Sequence, residues 1–179
     1  MRIVVFVLIG LAVLVLAVLA YAATRPATFS VERQLRIQAS PEQLWPLVSE
    51  LQGFNRWNPY ARKDPQMRSH YSGPPTGVGS RYDWESSKVG TGSMTLTGQQ
   101  PGRAVQLQLD FLKPFEGHNQ AEFLLEPAPG GGSTVHWRMH GPANLIGRVM
   151  GLFIDMDRMV GRDFEDGLQN LKQIAEARA

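Results

Sequence analysis

The chain has no cysteine, which excludes disulfides, thiolate metal sites and a cysteine nucleophile, and leaves the compartment to be argued from other features. It has no strong excess of either charge: 18 Lys and Arg stand against 16 Asp and Glu, scattered along the chain. No electrostatic footprint for nucleic acid or an acidic substrate follows from that balance. Gly130-Gly131-Gly132 is followed by Ser133-Thr134 with no lysine and no helix start, so it reads as a hairpin loop and not as a phosphate cradle. Internal repeats and low-complexity tracts are lacking too. Of the 179 residues, about 150 lie beyond the first two dozen, the size of one domain that buries roughly 70% of its unfolded surface.

What is present first is an apolar run. From Ile3 to Ala23 no residue is charged, and at 1.5 Å per helical residue the run reaches about 31 Å, matching a hydrocarbon core of about 30 Å. Tyr21 near its end and Arg25-Pro26 just after it supply an interfacial aromatic, a cation and a helix stop together. A cleaved signal peptide is the competing reading, because Ala20-Tyr21-Ala22 has the small-x-small form. The stretch exceeds an ordinary h-region, however, and the n-region is only Met1-Arg2, so an uncleaved anchor is favoured. Residues 1–25 are therefore expected to be a single-pass anchor and residues 28–178 a soluble domain. Arg2 before the span and Arg25, Arg33 and Arg36 after it give no clear orientation; an extracytoplasmic domain is expected from the general behaviour of short N-terminal anchors.

Thr28 to Ile37 alternates, with Phe29, Val31, Arg33, Leu35 and Ile37 on one face and Ser30, Glu32, Gln34 and Arg36 on the other, which predicts a strand with one buried side. Ser40-Pro41-Glu42-Gln43 then forms a capping box with proline at the first helical position. Leu44, Leu47, Val48 and Leu51 make a helical stripe, with Pro46 expected to kink it and Gly53 to close it. Period-two segments follow at Met67 to Ser72, Ser80 to Glu85, Thr91 to Thr97, Ala104 to Phe111, Ala121 to Glu126 and Thr134 to His140. Short glycine- and proline-bearing turns separate them, which predicts an antiparallel meander. From Asn144 the period becomes 3.6. Val149, Phe153, Met156, Val160, Phe164, Leu168, Leu171 and Ala175 share one face of an amphipathic helix, broken near Asp155, that must lie on the sheet.

This order, with Trp57-Asn58-Pro59-Tyr60 after the first helix, Gly77-Val78-Gly79 before a Trp-bearing strand and Gly167-Leu168-Gln169-Asn170-Leu171-Lys172 near the end, resembles the SRPBCC superfamily of START and Bet v1-like domains. Within it the likeness is to polyketide cyclase/dehydrase-like proteins carrying an N-terminal membrane segment, and it covers about Phe29 to Glu176. The resemblance implies an α+β helix-grip fold, in which a curved antiparallel β-sheet wraps a long C-terminal helix around an apolar cavity. It implies a hydrophobic small-molecule partner such as a lipid, a quinone or a polyketide, since such ligands recur in the superfamily. Some members are cofactor-free cyclases, so fold leaves activity open.

If the apolar face of the sheet points inward, alternation assigns Tyr71, Tyr82, Trp84, Met94, Leu96 and Leu107 to the interior, followed by Leu109, Phe111, Phe123, Leu125, Trp137 and Met139. Phe153 and Met156 join them from the helix. Broad aromatics and adaptable thioethers suit a planar or flexible apolar ligand; the same residues would equally serve a dry core. Trp57, Asn58 and Tyr60 are expected at the cavity mouth, where Arg33 either meets a ligand headgroup or snorkels at the sheet edge. His70, His118, His136 and His140 fall on the polar side of their strands, as do Asp83 and Glu85. No acid–base or metal constellation and no cofactor is expected from that pattern. Three functions are thus in view: a membrane-anchored domain that binds a hydrophobic ligand without chemistry, a cofactor-free cyclase or dehydratase, and an interaction domain with a filled core.

Overall fold

The computed structural model describes residues 2–153 and 155–177. Met1 and Arg178, at the outer bounds of the two expected regions, lie outside the described residues. Helix α1 (Arg2–Ala23) is followed by β1 (Thr28–Ile37) and three short helices, α2 (Pro41–Ser49), α3 (Leu51–Asn55) and α4 (Pro59–Lys63). Strands β2 (Arg68–Ser72), β3 (Arg81–Ser86), β4 (Gly90–Gln100), β5 (Ala104–Lys113), β6 (Gly117–Pro127) and β7 (Ser133–Pro142) follow, then α5 (Leu145–Met150) and α6 (Met156–Glu176). The seven strands form one curved antiparallel sheet in the order β1-β7-β6-β5-β4-β3-β2. Successive strands are neighbours in this meander, and β1 closes the far edge against β7.

Local chemistry sets the boundaries. Ser40 caps α2 reciprocally with Gln43, and proline occupies its first turn. Gly53 does not close that helix. The chain turns extended at Glu50, and Gly53 lies inside α3, where a Cβ would stand 2.1 Å from the Pro46 carbonyl oxygen; glycine serves close approach here. Asp155 is the N-cap of α6, its carboxylate accepting from the Arg158 amide at 2.9 Å. The cap resets the helical phase, so Phe153 and Met156 do not extend the buried stripe: Phe153 is 77% exposed and Met156 37%. From Val160 onward α6 buries Val160, Phe164, Leu168, Leu171 and Ala175 against the concave face.

One apolar core joins that stripe to Val31 and Ile37 of β1, Leu96, Val105, Leu107, Phe123, Leu125 and Val135 of the sheet, and Leu44, Leu47 and Phe54 of the short helices. Burial of this kind is worth roughly 25 cal/mol per Å2 and dominates the fold's stability. The α1 helix stands apart: Ile3–Ala23 is long and apolar enough to cross a membrane, and its apolar side chains are exposed along its length. Its last turn meets the domain, where Ala22 is buried and the Ala23 carbonyl accepts from the Arg148 guanidinium of α5 at 3.2 Å.

Candidate functional site

The concave groove is filled at one end and hollow at the other. In the filled end, Trp57 is fully buried and donates its indole N–H to the Leu47 carbonyl at 2.7 Å. Its ring meets Phe54, Phe123 and Trp137 edge-on at centroid distances of 4.9 to 5.5 Å. Trp137 stacks on Phe164 of α6 at 3.9 Å with an interplanar angle of 6°. A Cβ at Gly167 would come within 2.6 Å of the Trp137 ring, so this glycine lets α6 settle against the cluster at a propensity cost of about 1 kcal/mol.

Beyond Trp137 and Phe164 the groove opens into a pocket of about 690 Å3. Strands supply Tyr82 and Trp84 (β3), Met94 (β4), Leu109 and Phe111 (β5), Asn119 and Ala121 (β6) and Met139 (β7). The first turns of α6 supply Met156, Met159, Val160 and Asp163, and the connector supplies Asn58, Tyr60, Lys63 and Met67. Trp84 stacks on Tyr82 at 5.7 Å and meets Phe111 edge-on at 5.9 Å. Its six-membered ring lies over Gly92, where a Cβ would stand 2.5 Å away. The Trp84 indole nitrogen is buried without a hydrogen-bond partner.

Tyr82, Trp84, Met94, Leu109, Phe111, Trp137, Met139 and Met156, together with Asn58 and Tyr60, therefore line the pocket. The remaining expected residues stand elsewhere. Leu107 and Phe123 face inward but pack in the filled end, at 2% and 1% exposure. Tyr71, on the edge strand β2, stacks outside Tyr82 at 5.1 Å and accepts from the Asn55 amide at 2.7 Å. Phe153 projects from the α5–α6 connection. Trp57 is core, not mouth, because α3 and α4 fold it beneath the sheet. Arg33 neither meets the pocket nor snorkels free: its guanidinium donates to Glu165 at 2.8 Å and to Asp157 at 2.9 and 3.1 Å. Those hydrogen bonds raise its pKa above the usual arginine value and hold the Asp157 carboxyl below the carboxylate range. Arg33 thus fastens β1 to α6, lying over Gly161.

Helices bring polar groups that the strand alternation did not reveal. The Lys63 ammonium sits 2.5 Å from the Asp163 carboxylate and 5.1 Å from the Tyr60 ring centroid. Burial pushes the Tyr60 hydroxyl well above its usual pKa, and nearby Asp163 adds to the shift, so this phenol is a neutral donor rather than a base at neutral pH. Asn119, only 7% exposed, presents an amide with both donor and acceptor capacity on the otherwise apolar β6 face. Gly141 on β7 makes room for it, since a Cβ there would stand 2.1 Å from the Asn119 oxygen. Its position was readable by carrying the Phe123–Leu125 alternation back toward Gly117. Among the described residues, no three of His, Asp and Glu are grouped to hold a metal ion. His118 and His136 bond Asp110 and Glu32 on the convex face.

This architecture recurs in solved structures. A Thermobifida fusca protein determined by solution NMR is 15% identical, with a TM-score of 0.64 over 82% of this chain and 92% of that one. A Mesorhizobium loti protein is 18% identical, with a TM-score of 0.57 over 81% and 98%. The di-domain ARO/CYC protein StfQ of the steffimycin biosynthetic pathway is 11% identical, with a TM-score of 0.61 over 85% of this chain and 52% of that one. These likenesses show the fold. No curated protein sequence matches. A family profile described as polyketide cyclase/dehydrase and lipid transport matches residues 28–176, nearly all of the chain beyond α1, and the chain belongs to that family.

Proposed function

We propose that the domain holds an apolar or amphipathic small molecule, of lipid, quinone or polyketide type, in the pocket between the sheet and the first turns of α6, and that α1 anchors it in a membrane. The observation that carries this reading is the pocket itself: about 690 Å3 walled by Trp84, Phe111, Met94, Leu109 and Met139, with Asn119 among them. That volume lies within the roughly 300–1,000 Å3 range of small-molecule sites, whose walls are mostly apolar with a few placed polar groups. A filled interaction domain would have no use for such a space, because close-packed interiors leave few voids larger than a water molecule.

The cyclase or dehydratase reading gains one specific support, the Tyr60, Lys63 and Asp163 cluster at the pocket wall, and StfQ bears an ARO/CYC designation. Binding without chemistry remains the preferred function. The Asp163 carboxylate is engaged by Lys63 and the Tyr60 phenol is held neutral, so neither is a ready base.

Native mass spectrometry of the full chain extracted in mild detergent tests both. A co-purified apolar molecule recovered with unchanged mass after prolonged incubation is the expected result. A chain that carries nothing and binds neither a fluorescent fatty acid nor a quinone probe would overturn it. Conversion of the bound molecule, lost in Asp163→Asn, would establish the enzymatic reading.

A further inference from the structure

The large apolar side chains that the folded domain leaves exposed are not spread evenly. Beyond α1, all of those described except Tyr71, Val78 and Leu112 stand together: Phe115 (61%), Leu145 (42%), Ile146 (63%), Phe153 (77%), Met156 (37%) and Met159 (51%). Phe115, Ile146, Met156 and Met159 also line the pocket and so form its rim, which Leu145 and Phe153 flank in the chain near Ile146 and Met156. Clustered exposed apolar surface marks an interaction site, whereas scattered residues need no explanation.

The position of the rim names the partner. Four residues, 24–27, separate the end of α1 from β1, and at about 3.3–3.6 Å per residue such a tether reaches only some 13–14 Å. Within that reach the two parts touch: Arg148 of α5 donates to the Ala23 carbonyl at 3.2 Å, and the Ala143 amide donates to Ala27 at 2.8 Å. The rim helix α5 therefore sits at the end of α1, on the hollow side of the groove. Glu116, Asp155, Asp157 and Arg158 near the rim carry both signs, so apolar area rather than attraction to anionic lipid would drive docking there.

We propose that the pocket mouth opens onto the bilayer: the Phe115, Ile146, Met156 and Met159 rim, with the flanking Phe153, inserts into the surface of the membrane that α1 spans, and an apolar ligand passes between lipid and pocket without crossing water. The inference rests on α1 being retained as the anchor proposed above, and it does not depend on which ligand the pocket takes.

The absence of cysteine allows a direct test on the full chain. Ile146→Cys, Phe153→Cys and Met159→Cys, with Gln106→Cys on the convex face as control, are nitroxide-labelled and reconstituted as single copies in phosphatidylcholine nanodiscs. Collision with oxygen, which partitions into lipid, is compared with collision with a water-soluble nickel chelate. The rim labels are expected to show an oxygen-to-nickel ratio several-fold above that at Gln106, unchanged by raising salt. Ratios equal to the control overturn the proposal, as does shielding from both reagents because a second copy covers the rim. Lipid-phase ratios in a chain that binds no apolar probe support docking while refuting the ligand-binding function, so the two fail separately.

Discussion

The two ends of the groove share one sheet and one helix, yet one is packed and the other hollow. At the filled end, α6 presents Phe164, Leu168 and Leu171 to a face already occupied by Trp57, Phe54 and Trp137. At the hollow end, it presents Met156, Met159 and Val160 to Leu109, Phe111 and Met139 across empty space. The difference comes from the connector. The α2–α3 segment drives aromatic side chains under one half of the sheet, whereas α4 places Tyr60 and Lys63 at the wall of the other. The same apolar alternation therefore yields stability at one end and capacity at the other.

The largest expected effect tests that division directly. Trp57→Ala removes a fully buried ring and orphans the Leu47 carbonyl it bonds, so a loss of about 3–5 kcal/mol is expected in chemical denaturation. Trp84→Ala enlarges a space that is already partly empty and deletes a buried donor with no partner, so its loss is expected to stay below about 2 kcal/mol while apolar-probe binding changes several-fold. Equal, large losses for the two would show that the hollow end is as solid as the filled one.

Gly167→Ala sharpens the comparison at the seam. The added methyl meets the rigid Trp137 ring and Pro59, and overpacking of this kind costs about 1–3 kcal/mol despite the better helix propensity of alanine. A thermal midpoint equal to the parent's would mean that α6 does not bear on the aromatic cluster.

The smallest effect is electrostatic and lies on the convex face behind the hollow end. The hydrogen bond that His118 donates to Asp110 at 2.8 Å, reinforced by the charges of Asp110 and Glu116, raises the His118 pKa; the same bond lowers that of Asp110. The raised histidine contributes stability that is complete below its unfolded pKa of about 6.5 and is lost as pH rises through the folded value. The lowered carboxyl contributes stability present above about 3.9 and lost as pH falls through its folded value. An NMR titration should find His118 above 6.5, and Asp110→Asn should return it towards that value. With His118 well exposed, any change in midpoint will be slight.

Several site residues were legible as to face but not as to place. Alternation put Leu107, Phe123 and Trp84 on the concave side, and there they are; it has no means of telling which stretch of that side a connector will cover. Tyr71 shares their parity but belongs to the edge strand, where it stays 38% exposed and its hydroxyl is held by Asn55 of α3. The 3.6 period carried Phe153 across the Asp155 cap, although a cap restarts the helix with a new phase. Arg33 reads as an isolated cation on an apolar face until α6 brings Asp157 and Glu165 to it from more than 120 residues away.

By itself, then, the sequence determined the apolar α1 run, the capping box at Ser40, the order and faces of the strands and the amphipathic α6, because each depends on contacts within a few residues. Tertiary structure alone decided where the groove is full, which polar groups reach its wall and how the rim sits beside α1. A cavity is a difference between enclosed space and the side chains that fill it, and both belong to elements distant in the chain. The Lys63–Asp163 pair, exactly 100 residues apart, has no local signature for the same reason.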